Sequence, residues 1–292
     1  MDPFFARAFH PGNYLPMIIT VAMTGAVPSK EKYPNLPTTP NEIIQTALEC
    51  ADAGASTVHV HLRDDDGFQT QNLEMLEEVI SGIRLNNSDL IICATTTSRG
   101  IKKPEDRLVP FLLPPDLRPD MASLTLGSYN TPTGINANPA EEIETLLAEM
   151  KKNDITPELE IFEPGMLHTW FQLVTEGKTS PQGMINILLG VRGASPATAK
   201  GLVDIVNVLP GGAEWAVAGI GNFQRPMTVL GAVAGGNVRV GMEDDPRGEF
   251  DGWTNVDSVK RAVRVAEFVG RGVASPSESR KRLGLGSKIG LN

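Results

Sequence analysis

Cysteine is nearly absent from this 292-residue chain. Only Cys50 and Cys93 occur, whereas a secreted disulfide scaffold carries more at regular spacing. A disulfide framework is excluded, and a reducing cytoplasm is the expected compartment. Long hydrophobic runs are missing too: no window approaches the roughly 18 uninterrupted apolar residues of a membrane span, so no membrane partner is expected. The opening MDPFFARAFHPGNYLP has no basic start, apolar stretch or small-residue cleavage site, so it does not read as a signal peptide. Residues 1–16 are expected to form an N-terminal extension packed on the outside. Positive charge is in the minority, with 26 Lys and Arg against 35 Asp and Glu and a net charge of -9. With no local basic patch, this balance argues against a nucleic-acid partner.

What the chain has is a rhythm of apolar, β-rich runs alternating with longer amphipathic ones. The strands read as MIITVAMT (17–24), STVHVHL (56–62), DLIICAT (89–95), DMASLTL (120–126), TPELEIF (156–162), GMINILLGV (183–191), AEWAVAG (213–219) and NVRVGM (237–242). Helices are expected from about Thr39 to Ala53, over NLEMLEEVISGIRLN, from near Lys103 and Pro104, over AEEIETLLAEMKKN, from about Gly165 to Glu176 and over VDSVKRAVRVAEFVGR, with a short SPSESRKRL helix at the end. Eight βα units predict an α/β fold of the (β/α)8 TIM-barrel type, because right-handed crossovers return the chain to a parallel sheet that closes on itself. Residues 17–292 are read as one catalytic domain. The competing open, doubly wound sheet would carry a glycine-rich phosphate turn after its first strand, and MTGAVPSKEKYPNLP lacks one.

In a barrel the chemistry sits at the C-terminal ends of the strands, and the second strand stands out there. His59 and His61 are one residue apart, so the period of two puts both imidazoles on one face, where they can share an ion. The alternative is a pair of core histidines bonded to neighbours. The eighth strand ends in VRVGMEDD, offering Glu243 and Asp244 beside the first strand and within reach of the second. Two histidines and one carboxylate form a catalytic zinc arrangement that leaves a position open. Arg239 shares its strand parity with Glu243, and Glu158 and Glu160 alternate with Leu159 and Ile161 on the fifth strand, so one face of each strand is ionic. Thr95, Thr96 and Thr97 end the third strand with hydroxyls suited to positioning a carboxylate or relaying a proton. The Gly/Ser-rich GVRGASPATAKGL after the sixth strand suits phosphate or thioester contacts through backbone N–H groups.

The stretch ITVAMTGAVPSKEKYPNLPTTPNEIIQTALECADAGASTVHVHLRDDDG resembles the β-keto acid cleavage enzymes, the group typified by 3-keto-5-aminohexanoate cleavage enzyme. The likeness continues in DRLVPFLLPPDLRPDMASLTLGS, PELEIFEPGM, EWAVAGIG, VRVGMEDD and ASPSESRKRLGL. The resemblance implies a TIM barrel carrying zinc on His59, His61 and Glu243, and the conversion of a β-keto acid and acetyl-CoA to acetoacetate and a new acyl-CoA. It further implies Asp244 as the base and Thr95 as its supporting hydroxyl, in the place of a serine in the family's characterised member. Arg239 would stabilise oxyanionic charge, and Glu160, Ser123 and Thr96 would belong to the substrate pocket. Val27 stands where the 3-keto-5-aminohexanoate enzyme has a glutamate that holds the substrate ammonium. A neutral or apolar keto-acid tail is therefore expected here. A homo-oligomer such as a tetramer is implied by the resemblance alone.

The rival enzyme reading is a metal-dependent hydrolase of the amidohydrolase type. Those barrels carry their HxH on the first strand and need further histidines from middle strands. Only His10 and His168 remain, one in the extension and one in a helix. A barrel that merely binds an acyl-CoA or a partner protein would have no use for so many ionic groups at its rim.

Overall fold

The computed structural model describes residues 14–101, 103–132 and 134–286. Eight parallel strands close into a barrel: β1 (Ile19–Ala22), β2 (Thr57–Val60), β5 (Ile91–Ala94), β6 (Met121–Thr125), β9 (Thr156–Ile161), β10 (Met184–Leu189), β11 (Glu214–Gly219) and β12 (Asn237–Val240). Their order around the ring is β1-β12-β11-β10-β9-β6-β5-β2. The last strand pairs with the first through Thr20↔Arg239, and the first with the second through Ala22↔His59. A closed ring has no switch point between half-sheets, so the open doubly wound alternative is ruled out.

The helices form where sequence supplies both a start signal and an apolar stripe. For α1 (Pro40–Asp52), Thr39 caps the N-terminus, Pro40 sits where its missing N–H costs nothing, and Glu42 reaches back to complete a capping box. Its buried stripe is Ile43, Ala47 and Cys50. Around the outside, α2 (Leu73–Asn86), α5 (Ala199–Val206) and α7 (Asn255–Phe268) are likewise capped, by Asn72, Thr198 and Thr254, while α3 (Ala140–Lys152), α4 (Pro164–Thr175) and α6 (Gln224–Val233) bury an apolar stripe without a side-chain cap. The helix expected to start near Lys103 begins at Pro104 but is a 3-10 segment, Pro104–Phe111. Pro110 inside it cannot donate a hydrogen bond and disfavours α geometry before it. Two hairpins were not foreseen: β3–β4 (Leu62–Arg63 with Gln69–Thr70) and β7–β8 (Tyr129–Thr131 with Gly134–Asn136).

The terminal helix α8 (Pro276–Leu283) closes the N-terminal end of the barrel. Leu283 packs with Ile18, Ile91, Met121 and Met184 inside the ring. Arg280 donates to Asp120 Oδ1 at 2.8 Å, whose other oxygen takes Arg84 Nη2 at 3.0 Å. With that end plugged, the opposite end, where the strands finish, is left for chemistry. Of the extension, residues 1–13 and with them His10 lie outside the described residues. Leu15 is tied down, its carbonyl accepting from Arg271 Nη2 at 2.8 Å. Among the described residues, no helix is long and apolar enough to cross a membrane. Both cysteines are free and buried.

Candidate active site

At the strand ends, β12, β1 and β2 lie side by side, and the register puts His59, His61 and Glu243 together. His59 closes on Glu243 with Nε2 3.8 Å from Oε2, and His61 with Nε2 3.5 Å from Oε1. The two imidazole centroids are 5.0 Å apart. Donor atoms held by one tetrahedral ion at ordinary bond lengths stand about 3.3 Å apart, so the three side chains need only a small inward adjustment to share a cation. Two buried atoms of this set, His59 Nδ1 and Glu243 Oε2, have no hydrogen-bond partner, a costly arrangement that a bound ion would relieve for Glu243.

The neighbours of the two rings favour the same state. Gln69 Nε2 donates to the Thr70 carbonyl at 3.1 Å, which turns Oε1 toward His61 Nδ1 at 2.8 Å. Gln69 therefore accepts the Nδ1 proton and leaves the Nε2 lone pair facing Glu243. Behind His59, Glu158 Oε2 stands 3.6 Å from Nδ1. Burial pushes the His59 imidazole well below its usual pKa, keeping it neutral as a ligand must be. The same burial lifts Glu158 to about 7, although Arg239 pulls it down. Gly25 makes room for Glu243. Its backbone is left-handed (φ +64), and a Cβ there would lie 2.4 Å from Glu243 Cγ.

Arg239 ties the carboxylates together from the middle of β12. Its Nε donates to Asp244 Oδ2 at 2.9 Å and its Nη2 to Asp244 Oδ1 at 3.1 Å, forming a fork. Nη2 also reaches Glu243 Oε1 at 2.7 Å, and Nη1 stands 3.5 Å from Glu160 Oε1. Burial alone would lower the guanidinium pKa, yet Asp244 and Glu243 hold it well above its ordinary value. Burial raises the Asp244 carboxyl to about 6 against the pull of Arg239. Asp244 is thus ionised at neutral pH but closer to gaining a proton than an exposed aspartate, the condition a general base needs.

A cavity of about 580 Å³ opens over this set, lined among others by His61, Thr95, Glu160, Arg239, Glu243, Asp244 and Val27. Val27 is 65% exposed on that wall. Thr95 Oγ accepts from Thr97 N at 3.1 Å, and no hydrogen bond joins it to Asp244 among the described residues. Thr96 and Ser123 are bonded to each other behind the wall: Thr96 N donates to Ser123 Oγ at 3.3 Å and Thr96 Oγ to the Ser123 carbonyl at 2.5 Å. Glu160 is held by Thr125 Oγ, which donates to Oε2 at 2.6 Å. His168 is exposed on α4, away from this cluster. Sequence reasoning passed over Gln69, and it treated Glu158 as a rim charge only. The DDDG turn after HVHLR is the signal that would have shown a hairpin folding Gln69 back onto His61.

A model of the β-keto acid cleavage enzyme family matches residues 16–285. The chain belongs to that family. Among relatives of the β-keto acid cleavage enzymes, the 3-keto-5-aminohexanoate cleavage enzyme of Acetoanaerobium sticklandii is 36% identical over 92% of this chain and 98% of its own. The 3-oxoadipate:acetyl-CoA acetyltransferase of Cupriavidus necator is 34% identical over 93% of this chain and 96% of its own. Among solved structures, apo ObcA superposes with a TM-score of 0.76 at 17% identity, over 87% of this chain and 66% of that one. At that identity the likeness speaks for the barrel fold alone.

Proposed function

We propose that this β-keto acid cleavage enzyme converts a β-keto acid and acetyl-CoA into acetoacetate and the acyl-CoA of the remaining fragment, using zinc on His59, His61 and Glu243. The observation that carries the reading is the convergence of that donor set with the Asp244–Arg239 fork on one cavity. The relatives' names, which pair keto acids with acetyl-CoA, support the co-substrate. When bound, the divalent ion supplies Lewis-acid polarisation of the substrate's keto and carboxylate oxygens.

The chain's own residues do the rest. Asp244 takes the proton from the carbon between the keto and carboxylate groups, and the resulting carbanion attacks the acetyl carbonyl of the thioester. Coenzyme A leaves as thiolate and attacks the original keto carbon. The bond to the central carbon breaks, and the carbanion released takes its proton back from Asp244, giving acetoacetate and the new thioester with no net gain or loss of protons. Arg239 faces each tetrahedral oxyanion with a charge that is buried and already oriented, so little reorganisation is required. Thr95 lends a hydroxyl at the cavity wall, and Glu160 a polar group to the same cavity that Val27 lines. Ser123 and Thr96, bonded to each other, act by fixing the strand ends beneath the substrate. Val27 offers no partner to an ammonium, which favours a neutral or apolar tail.

The test is acyl-CoA formation from acetyl-CoA and a panel of β-keto acids, comparing wild type with His59→Ala after metal removal and zinc return. Turnover that returns with zinc in wild type only is expected. A fully zinc-loaded wild type inert toward every keto acid would sink the reading. Two free, buried cysteines suit a cytoplasmic enzyme, and the family likeness supports a homo-oligomer such as a tetramer.

A further inference from the structure

Two arginines on the cavity wall have no acidic partner among the described residues. Arg99, half-buried in the loop after β5, and the exposed Arg192 in the loop after β10 both line the cavity. Buried arginines elsewhere are occupied: Arg239, Arg107 and Arg261 each face a carboxylate, and Arg63 and Arg271 donate to backbone carbonyls. The β7–β8 hairpin brings the two loops to one place. Arg99 follows Ser98, whose hydroxyl donates to Asn136 Oδ1 at 2.5 Å, and Asn136 Nδ2 donates to the Tyr129 hydroxyl at 2.8 Å. Next to Arg192, Gly193 lies so close to the hairpin that a Cβ would meet the Asn130 carbonyl at 2.9 Å. The hairpin itself is anchored, with the Tyr129 ring stacked on Phe162 at 4.0 Å.

The charge pattern of the cavity gives these arginines a use. Its floor holds three carboxylates, Glu160, Glu243 and Asp244, against the single cation Arg239. An anionic reactant entering over that floor meets repulsion unless a cation stands away from it. Guanidinium groups recognise carboxylate and phosphate oxygens in a fork, and they do so best when no side chain already occupies the fork. Arg192 also belongs to the Gly/Ser-rich segment after β10 that the sequence marked for phosphate or thioester contacts.

We propose that Arg99 and Arg192, gathered at the Tyr129–Asn136 hairpin, form an anion subsite of the catalytic cavity that holds a phosphate or carboxylate group of a reactant. The inference rests on the proposed reaction for its two sources of that group: the phosphates of acetyl-CoA, or a distal carboxylate on the keto acid. The apolar wall at Val27 favours the phosphates.

The experiment is equilibrium titration of the zinc-loaded protein with acetyl-CoA, with a six-carbon β-keto diacid and with the matching six-carbon keto monoacid, for wild type, Arg99→Gln and Arg192→Gln. The expected result is a roughly tenfold weaker Kd for acetyl-CoA in each variant, the loss of one charge-assisted contact, with the two keto acids weakened equally or not at all. Weakening confined to the diacid supports the subsite and assigns the group to the keto acid. If no Kd rises more than about threefold, the scale of a rim charge, or if wild type binds none of the three, the subsite is overturned. Turnover is measured on the same samples. A wild type that binds with arginine dependence yet forms no acyl-CoA would remove the reaction and keep the subsite.

Discussion

Replacing Gly25 with alanine is expected to damage the metal site far more than the fold. The new Cβ would lie 2.4 Å from Glu243 Cγ, 3.0 Å from its Cβ and 3.1 Å from its Cδ. Carbon atoms rest about 3.5 to 4.0 Å apart, so the Glu243 side chain must retreat by about 1 Å. Metal–ligand distances tolerate only about 0.2 Å, and a displaced ligand should cost at least the roughly 10- to 100-fold in affinity that follows loss of a ligand's supporting contact. The left-handed backbone adds a separate cost of about 1–2 kcal/mol to any alanine, a fall in Tm of roughly 2–3 °C for a chain this long. Gly177 provides the control. Its φ is +70, and nothing lies within 4 Å of where its Cβ would be, so Gly177→Ala should show the Tm loss without the metal loss. Zinc affinity by chelator competition, with Tm measured in the metal-free state, separates the two effects. A Gly25→Ala protein with wild-type zinc affinity would mean that Glu243 is not a ligand. Equal loss in both variants would mean that affinity follows overall stability.

Gln69→Leu removes the acceptor that orients His61 and should weaken zinc roughly 10- to 100-fold in the same competition assay with Tm little changed. Asp244→Asn keeps much of the fork's shape but loses the proposed base, so kcat should fall about 10²- to 10⁴-fold while zinc stoichiometry by elemental analysis stays at wild type. Arg239→Met leaves Asp244, Glu243 and Glu160 without their shared cation. It should destabilise by about 3–5 kcal/mol, read by urea denaturation. At α1, burial would raise the Glu42 carboxyl, yet Lys30 and the N–H groups of Thr38 and Thr39 hold it down at about 2. A folded value below the unfolded one stabilises above about pH 4.5 and loses that contribution as pH falls through about 2. Glu42→Gln keeps the capping box but loses the charge, so it should be less stable than wild type near neutrality by about 0.2–1 kcal/mol, the scale of a partly exposed ion pair, and the two stabilities should converge in acid. A constant gap across that range would contradict the assignment.

Much of this architecture can be read from the chain because strand parity and strand order are local properties. One intervening residue puts His59 and His61 on the same face, and a ring of eight makes the strand bearing Glu243 a neighbour of the first. What parity does not convey is depth or lateral aim. Thr96 and Ser123 have the expected positions at strand ends, but their hydroxyl and amide contacts run along the wall. Glu158 and Glu160 share a face, yet one lies under His59 and the other meets Arg239, a difference of one layer within the barrel. The approach of Gln69 depends on a hairpin whose strands are two residues each, too short to show a period. The 3-10 segment depends on one proline, Pro110, inside an otherwise helical composition.

The ring order also divides labour. The His59–His61–Glu243 set and the Asp244–Arg239 fork are carried by three consecutive staves, β2, β1 and β12, joined by backbone pairing that leaves little freedom. The hairpin after β6 and the loop after β10 hang from the other side of the ring, and Pro132 and Val191 reach the same cavity from there. Insertions or exchanges in those two loops can reshape what is admitted without re-aiming His59, His61, Glu243, Asp244 or Arg239. Directed evolution toward new keto acids should therefore collect its mutations in those loops and leave the three staves untouched.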